Sequence, residues 1–192
     1  MSSDASTAKA APTTPERRYS GIQIALHWII ALIIIGMVPV GLVMTRLDPS
    51  LLTNLLYETH KSFGLIVFAL VVLRIVVRFA LGTPPLAPTM PRWQIRAAQI
   101  SHVALYMLIV LVPLTGWAAT SACCAPVNLF WAIPLTLPIG GGFETAGPIF
   151  LLHNIFTMAL IALVLLHSLA ALYHHYGLKD GTLRKMMPGS KR

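Results

Sequence analysis

The chain has 192 residues and a mass of 20.9 kDa, enough for one compact domain and not clearly for two. Hydrophobic residues make up 56 % and charged residues 10 %, whereas a soluble domain carries about a quarter charged residues because its surface faces water. That shortage excludes a soluble enzyme, a disordered chain and a charge-laced coiled coil, and a mean hydropathy of +0.75 points to a small integral membrane protein. Fourteen Lys and Arg against six Asp and Glu give +8, which in a soluble protein would suggest nucleic acid. Here the placement of the charges decides their meaning.

Residues 1–18, rich in Ser, Ala, Thr and Pro, read as a solvated tail. No small-residue cleavage site follows the first apolar run, which reads as an uncleaved anchor. Four segments reach the length of about twenty apolar residues that crosses a bilayer. They run from about Ile22 to Met44, Leu55 to Phe79, Ile100 to Ser121 and Ile149 to Tyr176. Pro113 predicts a kink in the third, which neighbouring helices can absorb. The apolar connection from Ala122 to Gly147, broken by prolines and by Gly140-Gly141-Gly142, reads as a surface-hugging loop or a short re-entrant helix. The predicted fold is all-α, an integral membrane four-helix bundle over residues 19–188, with residues 189–192 a basic tail end.

Twelve of the fourteen basic residues fall on one side of these spans: Lys9, Arg17, Arg18, Arg74, Arg78, Arg92, Arg96, Lys179, Arg184, Lys185, Lys191 and Arg192. Arg46 and Lys61 fall on the other. The positive-inside rule therefore predicts that both termini are cytoplasmic, in a bacterial inner membrane. On this reading the charge is a topology signal and no nucleic-acid partner is implied. Trp28, Trp93, Tyr173 and Tyr176 on the inner side, with Tyr57, Trp117 and Trp131 on the outer, form the aromatic belts.

Histidine inside a span is costly and usually functional. Of the seven histidines, His27, His60, His102, His153 and His167 lie in or at the margins of spans. Depth along the helices sorts four of them into two levels, His27 with His167 and His60 with His153. Fourteen residues separate His153 from His167, which puts both rings on one helix face roughly 21 Å apart. Two cofactors stacked in a bilayer core of about 30 Å need such a separation. A haem with two imidazole ligands takes one His from each of two facing helices. Gly64, Ala170 and Ala171 are small neighbours that suit a flat ring. The competing interpretation is a set of hydrogen-bonded histidines or a proton path. Zinc fits poorly, because no Cys or carboxylate completes a site at either level.

The ordered set of these stretches resembles the bacterial cytochrome b561 family of four-helix, di-haem membrane proteins. It comprises Tyr19-Ser-Gly-Ile-Gln23-Ile-Ala-Leu-His27-Trp28, His60-Lys61-Ser62-Phe-Gly64 with Arg74 and Arg78, then His153, His167 and His174-His175-Tyr176, and last Lys179-Asp180 and Met186-Met187-Pro188. The family shares its His arrangement with the cytochrome b subunits of membrane formate dehydrogenases and nickel-iron hydrogenases. The resemblance implies two haem b groups, held by His27 with His167 on the cytoplasmic side and by His60 with His153 on the outer side. It implies passage of single electrons between an extracytoplasmic donor and ubiquinone. Some members are similar to superoxide oxidases, which implies a superoxide:ubiquinone oxidoreductase.

Around these ligands the expected roles are as follows. Lys61 and Arg46 either draw a small anion toward the outer haem or serve as snorkelling interface residues. His174, seven residues past His167 on the same face, is the expected quinone contact; its alternative is a surface His. Arg74, Arg18 and Arg17 are expected near haem propionates, with a topological role as the alternative for the last two, and Gln23 is a polar neighbour of His27. His102 is the reserve ligand. Cys123-Cys124 read as small apolar residues, because adjacent cysteines rarely bridge. Two other functions compete: a haem anchor subunit passing electrons between a partner dehydrogenase and quinone, and a haem-free transporter or channel with His proton relays.

Overall fold

The computed structural model describes residues 18–85, 90–124 and 126–189. Arg17, most of the N-terminal tail, Lys191 and Arg192 lie outside them. Four long helices dominate: α1 (Gly21–Met44), α2 (Leu51–Leu81), α3 (Arg92–Cys123) and α4 (Gly142–Leu172). All four are long and apolar enough to cross a membrane. Their outward faces carry Leu32, Ile35, Val76, Ile100, Leu151, Leu165 and Leu169, each more than half exposed. Such a surface is stable only against lipid.

Local chemistry sets the helix ends. Ser20 caps α1 in a reciprocal box: its hydroxyl accepts from the Gln23 amide at 3.3 Å, and Gln23 Oε1 accepts from the Ser20 amide at 3.0 Å. Ser50 caps α2 through the Thr53 amide at 3.1 Å. Gly82, at φ 66°, ends α2, a conformation that favours glycine. Past Leu172 the last helix widens into a π-helical turn, Tyr173–Leu178, followed by a 3₁₀ turn, Leu183–Met186.

The helices outrun the predicted spans. His60 is ten residues into α2, His102 eleven into α3 and His153 twelve into α4, so each lies well inside its helix. Of these three helices only α2 has a side-chain cap on its first turn, from Ser50; α3 and α4 start after Pro91 and Gly141 without one. Helix α4 starts at Gly142 and continues through Pro148, well before the expected Ile149.

The connection before α4 differs from both readings of it. It is a two-stranded hairpin, β1 (Asn128–Leu129) and β2 (Ile133–Pro134), antiparallel with Leu129 opposite Ile133. Its turn places Phe130 at φ 46° and Trp131 at φ 62°, costly for large side chains. Ser62 of α2, fully buried, anchors it by accepting from the Phe130 amide at 2.8 Å and donating to the Asn128 carbonyl at 3.3 Å. Phe63 adds an edge-on ring contact to Phe130, 5.6 Å between centres. Cys123 and Cys124 are joined as a disulfide where α3 ends, which corrects the reading of them as unlinked apolar residues.

At the other end several side chains tie the segments together. Gln23 Nε2 donates to the Gly82 carbonyl at 2.9 Å, Arg74 to the Gln23 carbonyl at 2.8 Å and Trp28 to the Met186 carbonyl at 2.7 Å. Lys185 donates to the Pro85 carbonyl at 3.2 Å, and Arg18 to the Arg184 carbonyl. This end, which holds the described basic residues other than Arg46 and Lys61, is the basic end below. Between the two ends a cluster of Ile30, Val67 and Val71, flanked by Ile34, Leu70 and Ile109, fills the middle of the bundle.

Candidate functional site

One spacing runs through all four helices. Fourteen residues separate His27 from Gly41 in α1, His60 from Arg74 in α2, His102 from Gly116 in α3 and His153 from His167 in α4. Fourteen residues bring a helix almost back to the same face, roughly 21 Å further along. With alternate helices antiparallel, these positions form two levels. His27, Arg74, His102 and His167 stand at the basic end; Gly41, His60, Gly116 and His153 stand at the other. The apolar cluster of Ile30, Val67 and Val71 lies between them in sequence on α1 and α2.

At the outer level, away from the basic end, His60 and His153 face each other with ring centres 6.3 Å apart. At the basic level His27 and His167 do so at 6.5 Å. An iron about 2 Å from a nitrogen of each ring would set two imidazole centres roughly 6 Å apart, so both pairs suit that coordination. The donor chemistry agrees at His153. Its Nδ1 donates to the Val112 carbonyl at 2.8 Å, which fixes the tautomer and leaves Nε2 with a free lone pair. His60 Nδ1 is buried without a hydrogen-bond partner. Among the described residues no group of three or more His, Cys, Asp or Glu could hold a metal; each level offers a pair of imidazoles, the donor set that suits a haem iron.

The two glycines of the outer level complete this arrangement. A Cβ at Gly41 would come within 3.0 Å of His60 Cε1, and one at Gly116 within 3.0 Å of His153 Cε1 and Nδ1. Each ring is thus covered by bare backbone on one side. Gly64, expected as a small neighbour of a flat cofactor, borders open space: an added Cβ there meets nothing within 4 Å. Sequence reasoning passed over Gly41 and Gly116 because glycine carries no chemistry of its own. Their fourteen-residue distance from His27 and His102 was the signal available.

The remaining sequence-derived residues divide between the levels. His102 stands 5.7 Å from His167 between ring centres and belongs to the basic level. Arg74 stays there too, its guanidinium bound to the Gln23 carbonyl. Gln23 uses its side chain on the Ser20 amide and the Gly82 carbonyl, so it acts as a brace between α1 and the end of α2. Arg18 spans to the 3₁₀ turn through the Arg184 and Met187 carbonyls. At the outer end Lys61 is ion-paired with Glu58, and Arg46 folds back to the Leu42 carbonyl at 2.7 Å. His174 Nδ1 is paired with the Asp180 carboxylate, whose other oxygen accepts from the Thr182 amide at 3.0 Å. Partial burial works to raise the Asp180 carboxyl, but the hydrogen bonds from His174 and Thr182 outweigh it and hold it below its ordinary value.

Residues 18–189 match the family model described as prokaryotic cytochrome b561. The chain belongs to the prokaryotic cytochrome b561 family. Relatives of this cytochrome include cytochrome b561 homolog 2 of Escherichia coli, 32 % identical, with 91 % of this chain and 93 % of the relative covered. Cytochrome b562 of Cereibacter sphaeroides is 33 % identical over 91 % of this chain and 98 % of its own length. A protein of Yersinia pestis named probable superoxide oxidase CybB is 27 % identical over 90 % and 97 %. The cytochrome is therefore a multi-pass membrane electron-transfer protein of a haem b family, which sets aside the reading as a haem-free transporter or channel.

Proposed function

We propose that residues 19–188 form a single di-haem domain, flanked by the tails 1–18 and 189–192, that conducts electrons across the bacterial inner membrane to ubiquinone. The observation that carries this reading is the pair of facing imidazole couples, 6.5 Å and 6.3 Å between ring centres, at the two ends of one bundle. His27 and His167 hold the inner haem b, and His60 and His153 hold the outer one. A bis-imidazole haem iron supplies one-electron redox chemistry. The Val112 carbonyl keeps the His153 ring in the tautomer that ligation needs. Gly41 and Gly116 leave space beside the outer pair, and the central apolar cluster keeps water out between the levels. The basic end faces the cytoplasm, with both termini, by the positive-inside rule.

The donor we assign is superoxide, as in the activity for which the Yersinia pestis relative is named. Two superoxide anions and one ubiquinone with two protons then give two O₂ and one ubiquinol. Arg46 has no carboxylate partner among the described residues and steers the anion, whereas Lys61 is matched by Glu58. On the inner side His174 meets a quinone carbonyl through Nε2 and relays a proton there, with Asp180 orienting the ring from Nδ1. Arg74 is the nearby cation for a haem propionate.

A second reading has its own support. At the outer end the described acids Asp48, Glu58 and Glu144 outnumber Arg46 and Lys61. An acidic balance suits a haem anchor subunit that receives electrons from the basic surface of a partner dehydrogenase better than it suits an anionic donor. Haem content by pyridine haemochrome and a reduced-minus-oxidised spectrum test the core proposal: two low-spin b-type haems per chain are expected, and their absence refutes it. Stopped-flow reduction by superoxide then separates the donors. A fast reaction that slows with salt supports superoxide, and no reduction leaves the partner dehydrogenase.

A further inference from the structure

Beyond the histidine levels, the basic end holds a second built feature. The π-helical turn Tyr173–Leu178 ends at Lys179, held at φ 53°. The chain then reverses through Gly181, at φ 75°, into the 3₁₀ turn Leu183–Met186. Between the two turns lies a cleft of about 230 Å³ lined by His175, Tyr176, Lys179, Gly181 and Arg184. It is smaller than the roughly 300–1,000 Å³ typical of small-molecule sites. Two permanent cations face it and, among the described residues, no carboxylate does. The ion pairs among the described residues are Lys61 with Glu58 and His174 with Asp180, so neither Lys179 nor Arg184 is neutralised by one. Asp180, the nearest acid in sequence, turns its oxygens to His174 and Thr182.

The cleft is also held in shape. The 3₁₀ turn that carries Arg184 is anchored through Arg18 to the Arg184 carbonyl, Trp28 to the Met186 carbonyl and Lys185 to the Pro85 carbonyl. Arg184 is therefore presented by a braced backbone, which lowers the ordering cost of binding. Beside the cleft Tyr173, Tyr176 and Leu178 are exposed at 59 %, 72 % and 42 %, continuing the lipid-facing row of α4. A cationic recess next to an apolar membrane face calls for a ligand with an oxyanion head and an apolar tail.

We propose that this cleft binds a phosphate oxyanion, carried by an anionic membrane phospholipid whose acyl chains lie along Tyr173, Leu172 and Leu169. Arg184 offers the planar fork that matches phosphate oxygens, Lys179 adds a point charge, and Tyr176 supplies a hydroxyl at the headgroup level. The assignment does not depend on the number of haems or the identity of the donor.

Native mass spectrometry of the haem-loaded full chain, released from mixed phosphatidylglycerol and phosphatidylcholine nanodiscs, tests it. The wild type should retain one phosphatidylglycerol in preference to phosphatidylcholine. Lys179→Gln with Arg184→Gln should lower that retention roughly ten- to thirtyfold, at about a factor of five for each cation near the surface. Arg92→Gln with Arg96→Gln removes equal charge from the same end and should leave retention unchanged. Inorganic phosphate added to the delipidated protein distinguishes the source. Thermal protection by phosphate that the cleft variant loses, without phosphatidylglycerol retention, assigns the same site to free phosphate. Equal retention in both double variants, or no preference between the two lipids, overturns the proposal. An unchanged haem spectrum checks that the cleft variant is folded; should it not fold, Arg184→Gln alone is read in the same way.

Discussion

Gly116 of α3 lies against the ring of His153 on α4, so close that a Cβ there would stand 3.0 Å from Nδ1 and Cε1. Gly41 holds the same relation to His60. The outer level thus depends on two absent side chains as much as on two imidazoles. On the di-haem proposal, Gly116→Val and Gly41→Val should each lower haem content from two to about one per chain, with the pair at the basic level intact. Gly64→Ala, which meets nothing within 4 Å, should leave both. Pyridine haemochrome assay of the purified variants reads the difference.

The basic level offers His167 two neighbours, His27 at 6.5 Å and His102 at 5.7 Å between ring centres. With His27 as the ligand, His27→Ala and His167→Ala should abolish the same spectral component, while His102→Ala should retain both haems and shift only the inner midpoint potential. Redox titration followed in the visible bands measures this. Loss of the inner haem in His102→Ala would reverse the assignment of ligand and neighbour.

Ser62 is buried, and its hydroxyl bonds to Asn128 and Phe130 across the hairpin. Ser62→Ala should leave those backbone groups unsatisfied at a cost of about 1–3 kcal/mol. The turn at Phe130 and Trp131, already in the left-handed region, then loses its anchor. Faster proteolysis within 126–137 at unchanged haem content is the expected result.

Asp180 is held below its ordinary value in the folded protein, so its contacts contribute stability above the unfolded carboxylate value of 3.8. That contribution disappears as pH falls below 3.8 through the depressed folded value. Asp180→Asn should weaken the hold on the Thr182 amide and on the His174 ring at neutral pH, and should make the turn insensitive to acid in this window. Hydrogen exchange at Thr182, faster by roughly three- to tenfold in the variant, checks it.

Among the described residues the Arg46 guanidinium bonds to the neutral Leu42 carbonyl and to no carboxylate, whereas Lys61 is matched by Glu58. If superoxide is the donor, Arg46→Gln should slow haem reduction about two- to fivefold at low ionic strength, with the difference vanishing in high salt. Lys61→Gln with Glu58→Gln should change the rate much less, since it removes no net charge. Stopped-flow spectrophotometry on wild type and variants makes the comparison.

The membrane class, the number of spans and the two histidine levels were legible because each rests on one-dimensional information. Apolar runs of spanning length, basic residues gathered between particular runs, and a fourteen-residue period all survive without knowledge of which helix touches which. The ends of the first helix were legible, Gly21–Met44 against an expected Ile22–Met44, but the starts of α2, α3 and α4 were not, since each runs several residues beyond the apolar stretch that marks its span. The hairpin was hidden as well: Phe-Trp at a turn with positive φ contradicts local preference, and only the distant Ser62 and Phe63 hold it there.

By itself, then, the sequence determined that this is a membrane bundle with imidazoles at two depths, because hydropathy and helical phase are properties of single segments. Tertiary structure alone decided that Gly41 and Gly116 cover the outer rings, and that Val112 orients His153. It also decided that the turns after α4 frame a basic cleft. The physical reason is common to all of these. Each is a contact between helices or turns, and its presence depends on packing within a few tenths of an ångström, which no pattern along one strand of chain encodes.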